Sequence, residues 1–370
     1  MESEKPRIIA FYLPQYHPTP DNDKWWGKGF TEWTNVGKAR PLFKGHYQPR
    51  VPADLGYYDL RLPQVREQQA ALAAEAGIYG FCYYHYWFGN GKRELELPFD
   101  EVLRSGEPDF PFCLCWANET WHTKFWNKDG SVIKRPLVKQ EYPGDEDTAN
   151  HFESLLPAFS DKRYIRIDGK PLFMIYKPFD YKQVDRFIAQ WNDMARRHGL
   201  KGIHFVAHIN KDITRATVRR LLDMGFDAVN TVGLWEARTA DKTGRIRHSL
   251  HKLATFLFGI PNAYRYEKLY GKFLSDTDSA AEVYPTLIPN WDHTPRSGRA
   301  GYLLTGSTPE LFGKHARQAL DTVMRKDPHD RVAFLKSWNE WGEGNYMEPD
   351  LKFGKGYIEA LRHEIEKTTR

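Results

Sequence analysis

The stretch Lys336-Ser-Trp-Asn-Glu340-Trp-Gly-Glu343-Gly-Asn-Tyr-Met-Glu348-Pro holds the densest set of groups able to do chemistry. Glu340 and Glu343 stand three residues apart. On a continuous strand they would point to opposite faces. If the strand ends at Trp338 and the chain turns, as Gly342 and Gly344 permit, both face one hollow. Such a pair suits glycosidic cleavage, where one carboxylic acid protonates the leaving oxygen and the second, ionised, acts as base or nucleophile. Like-charge repulsion and unequal burial would keep the two in different protonation states. The spacing alone also describes a capping box or a solvated acidic turn. The neighbours Trp338, Asn339, Trp341 and Tyr346 favour a sugar site, because sugar rings pack apolar C–H faces on indoles while their hydroxyls need polar partners.

Eight short apolar, β-branched or aromatic runs can position that motif, beginning at Arg7–Leu13, Tyr79–Tyr86, Phe110–Trp116 and Pro171–Tyr176. They continue with Ile203–His208, Asp227–Thr231, Tyr284–Ile288 (weakened by Pro285) and Val332–Trp338. Helical patterns lie between them at Pro63–Ala76, Thr148–Phe159, Tyr181–His198, Ile213–Met224 and Pro309–Arg325, with Tyr357–Lys367 closing the chain. Buried strands alternating with helices predict parallel β/α units, and at 370 residues an eightfold (β/α)8 TIM barrel in a single domain is the natural closure. An open doubly-wound sheet is disfavoured, since no glycine-rich fingerprint follows the first strand. Two long insertions, 14–63 and 233–282, leave from the mouth as rims or lids; the second carries a basic, aromatic tract with Arg238, Arg247, His248 and Lys252.

Polar and aromatic residues gather where strands end, and in a β/α barrel those ends meet at one mouth. Tyr12, Gln15, Tyr16 and His17 follow the first strand; His85 and Trp87 close the second. Trp116, Asn118 and Trp121 follow the third, Tyr176 the fourth and His208 the fifth. Trp291, Asp292 and Arg296 follow the seventh, while Glu32 and Trp33 come from the first insertion. All are candidate substrate-binding residues beside Trp338, Asn339 and Tyr346, with rim packing, core histidines or an Asp292–Arg296 ion pair as the plain alternatives. Glu119 reads as an auxiliary acid and Glu348 as structural.

Composition bounds the partners. The 12 Trp, 20 Tyr and 22 Phe, 15% of the chain, exceed what a core needs and suggest an aromatic-lined cleft. A net charge of +5 with 48 interleaved acidic residues does not call for nucleic acid. Cys82, Cys113 and Cys115 make no disulfide framework, and with no fourth soft ligand at zinc spacing they read as buried free thiols. No run approaches the ~18 apolar residues of a membrane span. A soluble chain in the cytoplasm is expected, or an exported one if a leader is removed. No metal and no cofactor are called for, the oligomeric state stays open, and the partner is an oligosaccharide or polysaccharide.

The eighth-strand Trp-Asn-Glu-Trp-Gly-Glu-Gly, with Phe11-Tyr-Leu-Pro-Gln-Tyr-His17, Gly29-Phe-Thr-Glu-Trp-Thr-Asn-Val36, Tyr83-Tyr-His-Tyr-Trp87, Trp116-Ala-Asn-Glu119 and Asn290-Trp-Asp292, resembles the WbsX family of surface-polysaccharide (O-antigen) gene contexts. That family is related to glycoside hydrolase family 99, the endo-α-mannosidases and mannanases. The resemblance implies that Glu340 deprotonates the substrate's own 2-hydroxyl and that Glu343 is general acid, then base. Configuration is retained through a 1,2-anhydro sugar, which requires the α-manno arrangement found also in rhamnose. Gly342 departs from family 99, which usually carries His there, so the finer substrate contacts differ.

A retaining hydrolase is the leading expectation. A surface-polysaccharide glycosyltransferase is the alternative; its D-x-D would be Asp276-Thr-Asp278, which follows no convincing strand. A non-catalytic glycan-binding protein would keep the aromatic platforms without needing either glutamate.

Overall fold

The computed structural model describes residues 5–126, 132–239 and 261–368, with 246, 249, 250 and 253 between the last two. Its centre is a closed barrel of eight parallel strands. These are β1 (Arg7–Tyr12), β2 (Gly80–Trp87), β3 (Phe112–Trp116), β4 (Lys170–Ile175), β5 (His204–Ile209), β6 (Ala228–Thr231), β7 (Val283–Leu287) and β8 (Val332–Leu335). Each pairs with the next in sequence, and β1 closes the ring by pairing with both β2 (Ile9 opposite Gly80) and β8 (Arg7 opposite Val332). Nearly every strand residue is buried, which is why the strands read as continuous apolar runs. Inside the barrel Phe11 meets Tyr84, His208 and Phe334 with ring centroids 5.3–5.9 Å apart. The free thiols of Cys82, Cys113 and Cys115 are fully buried, and burial pushes that of Cys82 far up.

Among the described residues, seven helices of nine residues or more clad the barrel: α1 (Pro63–Glu75), α2 (Leu97–Ser105), α3 (Asp145–Ser160), α4 (Val184–Arg197), α5 (Arg215–Asp223), α6 (Pro309–Met324) and α7 (Gly356–Thr368). Their starts are chemically marked. Thr308 accepts from the Leu311 N–H ahead of Pro309, and Thr214 does the same for Thr217. On α4 the spacing of Val184, Phe187, Ile188, Trp191 and Ala195 makes one buried face. The fold is thus the expected (β/α)8 barrel. Three elements had no sequence signal: α2, which has nine residues; the hairpin of Trp121–Trp126 with Val132–Val138; and the parallel pair Asn262–Arg265 with Tyr302–Thr305. Pro285 sits inside β7 with the strand intact. Arg247, His248 and Lys252 of the basic tract lie outside the described residues.

Candidate active site

The chain leaves β8 at Leu335, three residues earlier than its apolar run suggests, and folds into a tight hairpin. Asn339–Glu340 pairs antiparallel with Asn345–Tyr346 across a 3-10 turn, Trp341–Glu343. Ser337 anchors the base, donating to the Asn345 carbonyl at 2.8 Å and accepting from the Glu340 N–H at 3.0 Å. Gly344 has φ of 59°, and a Cβ there would lie 2.7 Å from the Asp292 Cβ, so only glycine fits. The turn that follows the strand is a 3-10 turn, and it brings residues 340 and 343 to one side.

Arg296, on the short helix Thr294–Ser297, gathers three carboxylates. Its Nη1 donates to Glu343 Oε1 at 2.5 Å and to Glu340 Oε1 at 3.3 Å, while Nε donates to Glu32 Oε1 at 2.9 Å. His293 Nε2 lies 3.5 Å from Glu343 Oε1. On the far side of Glu340, Lys336 Nζ lies 3.7 Å from Oε2 and donates to Tyr84 OH at 2.8 Å. Burial raises the pKa of Glu340 above the usual carboxylate value, the Glu343 charge adds to the rise, and Lys336 and Arg296 oppose it.

These groups line a cavity of about 400 Å³ at the barrel mouth. Of the residues expected at the site, Glu340, Glu343, Gln15, Trp121, Tyr176, Trp291 and Arg296 line it, and Glu32 reaches it through Arg296. Trp121, Tyr176 and Trp291 supply aromatic wall, Trp291 stacking 5.6 Å from Tyr302. A second hollow of about 280 Å³ shares Tyr176 and Asn210 with the first and reaches His208. Burial holds the His208 pKa down at about 3, and its ring stacks on Tyr176 at 4.4 Å.

The remaining expected residues stand behind the walls. Tyr12 donates to Gln69; Tyr16 donates to the Asn339 carbonyl and accepts from the Trp341 N–H; Trp33 donates to the Tyr58 carbonyl. Asn339 grips Leu13 through both its N–H and carbonyl, and His17 is buried against the Pro14 carbonyl. His85 lies 2.8 Å from His151, which stacks on Trp87, and Trp116 donates to the Trp87 carbonyl. Asn118 joins its loop to Lys177, Trp338 is wholly buried, and Tyr346 donates to Asp350. Asp292 is fully buried and bonded to Gln48 and Thr294, with His46 Nε2 at 2.8 Å; it makes no pair with Arg296. Burial alone would raise its pKa, yet His46, Arg50, Thr294 and Gln48 hold it at about 2. Glu348 accepts from Tyr58, Gln69 and Trp341 beneath the hairpin, a structural place.

The auxiliary acid Glu119 also lines the cavity, and lining residues outside the expected binding set include Tyr84, Tyr86, His293, Tyr302 and Lys336. On β2 the alternation of side chains carries the signal. Tyr84 and Tyr86 share the inward parity with Cys82, whereas His85 and Trp87 turn out toward α3.

The chain matches the family model described as glycosyltransferase WbsX over residues 8–361. It belongs to the WbsX glycosyltransferase family. Two relatives of this WbsX chain, both described as uncharacterized protein WxcX, come from strains B100 and ATCC 33913 of Xanthomonas campestris pv. campestris. They are 35% and 34% identical over 361 residues, 97% of this chain. The match spans about half the length of those relatives. Among solved structures, the GH99 endo-α-mannosidase from Bacteroides thetaiotaomicron in complex with bis-tris propane shares the fold with a TM-score of 0.58 and 13% identity. The match covers 100% of this chain and 98% of that one. A glycoside hydrolase-like protein gives 0.58 and 14%, over 99% and 95%. Both solved structures share the barrel fold with this chain.

Proposed function

We propose that this WbsX-family chain is a retaining glycoside hydrolase acting on α-manno- or rhamno-configured linkages of a polysaccharide. The observation that carries the reading is the single Arg296 nitrogen touching Oε1 of both Glu340 and Glu343 at the edge of an aromatic-walled cavity. Two atoms bonded to one nitrogen at 3.3 and 2.5 Å lie closer together than the roughly 6.5–9.5 Å that inverting enzymes keep open for a water. The cavity volume is within the usual range for small-ligand sites.

In the proposed first step Glu340 takes the proton of the substrate's 2-hydroxyl as that oxygen bonds to C1. The C1–O glycosidic bond breaks, and the leaving oxygen takes the proton of Glu343. In the second step Glu343 takes a proton from water, which opens the 1,2-anhydro ring at C1, and Glu340 returns its proton to the 2-oxygen. A base with a pKa raised toward the working pH is a stronger acceptor, provided nearby cations keep it ionised.

Incubation of 4-nitrophenyl α-mannobioside and α-rhamnobioside with the protein, followed by NMR of the released anomer, tests the reading. Glu343→Gln should lose turnover of the bound glycan and keep its binding; an inverted product, or undiminished turnover, overturns it. The family's description favours a second reading, glycosyl transfer. Asp278, half of the D-x-D, is spent on Ser275 and Thr231. Saturable nucleotide-sugar binding, sensitive to Asp276→Ala and to chelators, would establish transfer. Glycan affinity indifferent to both glutamates, with no product, would mark a binding protein.

A further inference from the structure

Lys336 lies next to the glutamate pair, and the steps above leave it without a task. Lys336 is a 5% exposed residue at the foot of the cavity wall, and its ammonium lies 5.4–5.8 Å from the ring centroids of Phe11, Tyr84, Tyr176 and Trp291. An ammonium sheathed by four rings has exchanged its hydration shell for ring faces and one hydroxyl, and that is costly unless a carboxylate answers it. Tyr84 OH is its hydrogen-bond partner, at 2.8 Å. The carboxylate is Glu340, whose Oε2 lies 3.7 Å away, is closed to water and makes no hydrogen bond. The two oxygens of Glu340 are therefore unlike. Oε2 is sealed against Lys336, and Oε1 is turned toward Arg296 and Glu343.

We propose that Lys336 is a positioning residue: through the sealed contact with Oε2, and held in place by Tyr84, it keeps Glu340 ionised and turns Oε1 to the substrate. The inference rests on the reading of Glu340 as the base. The charged and titratable groups facing Glu340 are few. Lys336 precedes it on its own segment, Glu343 follows it, Arg296 comes from the helix after β7, and Tyr84, Tyr86 and Tyr176 come from β2 and the end of β4. Glu343 and burial favour the neutral acid, and only the two cations favour the carboxylate. Arg296 divides its charge among three carboxylates, whereas Lys336 faces one. Removing Lys336 should therefore shift the base directly.

Two measurements on the full chain test this. The first is kcat and KM for 4-nitrophenyl α-mannobioside and α-rhamnobioside between pH 4 and 9, for wild type, Lys336→Met and Tyr84→Phe. The expected result for Lys336→Met is an acid limb of kcat/KM moved up by about one pH unit or more, with kcat at neutral pH down roughly 10–100-fold and KM changed little. Tyr84→Phe should move the limb the same way by less. A limb that stays in place overturns the proposal. The second needs no turnover: urea midpoints at pH 7 for Lys336→Met, Glu340→Gln and the double variant. The midpoint loss caused by Lys336→Met should largely vanish in the Glu340→Gln background, where no carboxylate remains to be neutralised. An equal loss in both backgrounds overturns the coupling. If Glu340→Gln keeps full turnover, the assignment of the base fails instead, whatever Lys336 does.

Discussion

Glu32 Oε1 lies 1.5 Å from the point that a Cβ on residue 342 would occupy, and Arg296 Nε lies 3.2 Å from it. Gly342 and the Glu32–Arg296 pair thus share one volume. A carboxylate from the first insertion fills that space and steadies the guanidinium that meets both glutamates. Gly342→Ala should push Glu32 off Arg296 and let the clamp drift. Displacements of about 1 Å at a reacting pair can cost on the order of 100-fold. The expectation is a fall in kcat/KM of about 10–100-fold with a small change in Tm, checked by kinetics and thermal melts; a variant as active as wild type would show that the clamp is not needed.

Arg296→Met removes one of the two cations beside Glu340. A carboxylate that loses a positive neighbour binds its proton more tightly, so its pKa, already above the usual glutamate value, rises further. Since the proposed base must be ionised, activity on the acid side should fail at higher pH than in wild type. A pH–rate profile of the two proteins checks this, and a limb moved toward lower pH would contradict it.

Glu348 carries a stability signature. Burial pushes its carboxyl up to about 7 despite the bonds from Trp341, Gln69 and Tyr58. Between its ordinary value of 4.5 and about 7 the folded chain holds a proton that the unfolded chain releases, so stability falls as pH rises through that window. At 1.36 kcal/mol per unit the drop is about 3 kcal/mol for this group. Urea denaturation at pH 5 and pH 8 should show the difference, and Glu348→Gln should flatten it while weakening the fold at both pH values.

Asp292 behaves oppositely. Its carboxyl is held at about 2, below the ordinary 3.8, so its contribution is present above pH 4 and disappears as pH falls through 2. Asp292→Asn leaves His46, Gln48 and Arg50 without their anion and should cost about 3 kcal/mol at neutral pH. The same substitution frees the loop that carries Arg296, so activity should fall with stability. A melt unchanged by Asp292→Asn would refute this.

The barrel was legible because a strand buried on both faces must be apolar where it is buried, as Phe112–Trp116 and positions 171–175 are. That same property hid the site's walls. With no polar alternation along β2, only the parity shared with Cys82 separates the inward Tyr84 and Tyr86 from the outward His85 and Trp87. The glutamate pair was legible from its turn glycines, although the strand ends at Leu335 instead of Trp338 and the turn, Trp341–Glu343, is a 3-10 one. Asp292 looked like a ligand for sugar hydroxyls because it follows a strand. Its partners His46, Gln48 and Arg50 come from about 240 residues away, a distance that no local pattern spans.

The grip of Asn339 on Leu13 joins positions 326 apart along the chain. All residues from 13 through 339 must therefore be synthesised before the two sides of the mouth can meet. Under the proposed function, a product truncated anywhere upstream of residue 340 would lack both glutamates of the pair and is expected to be inactive.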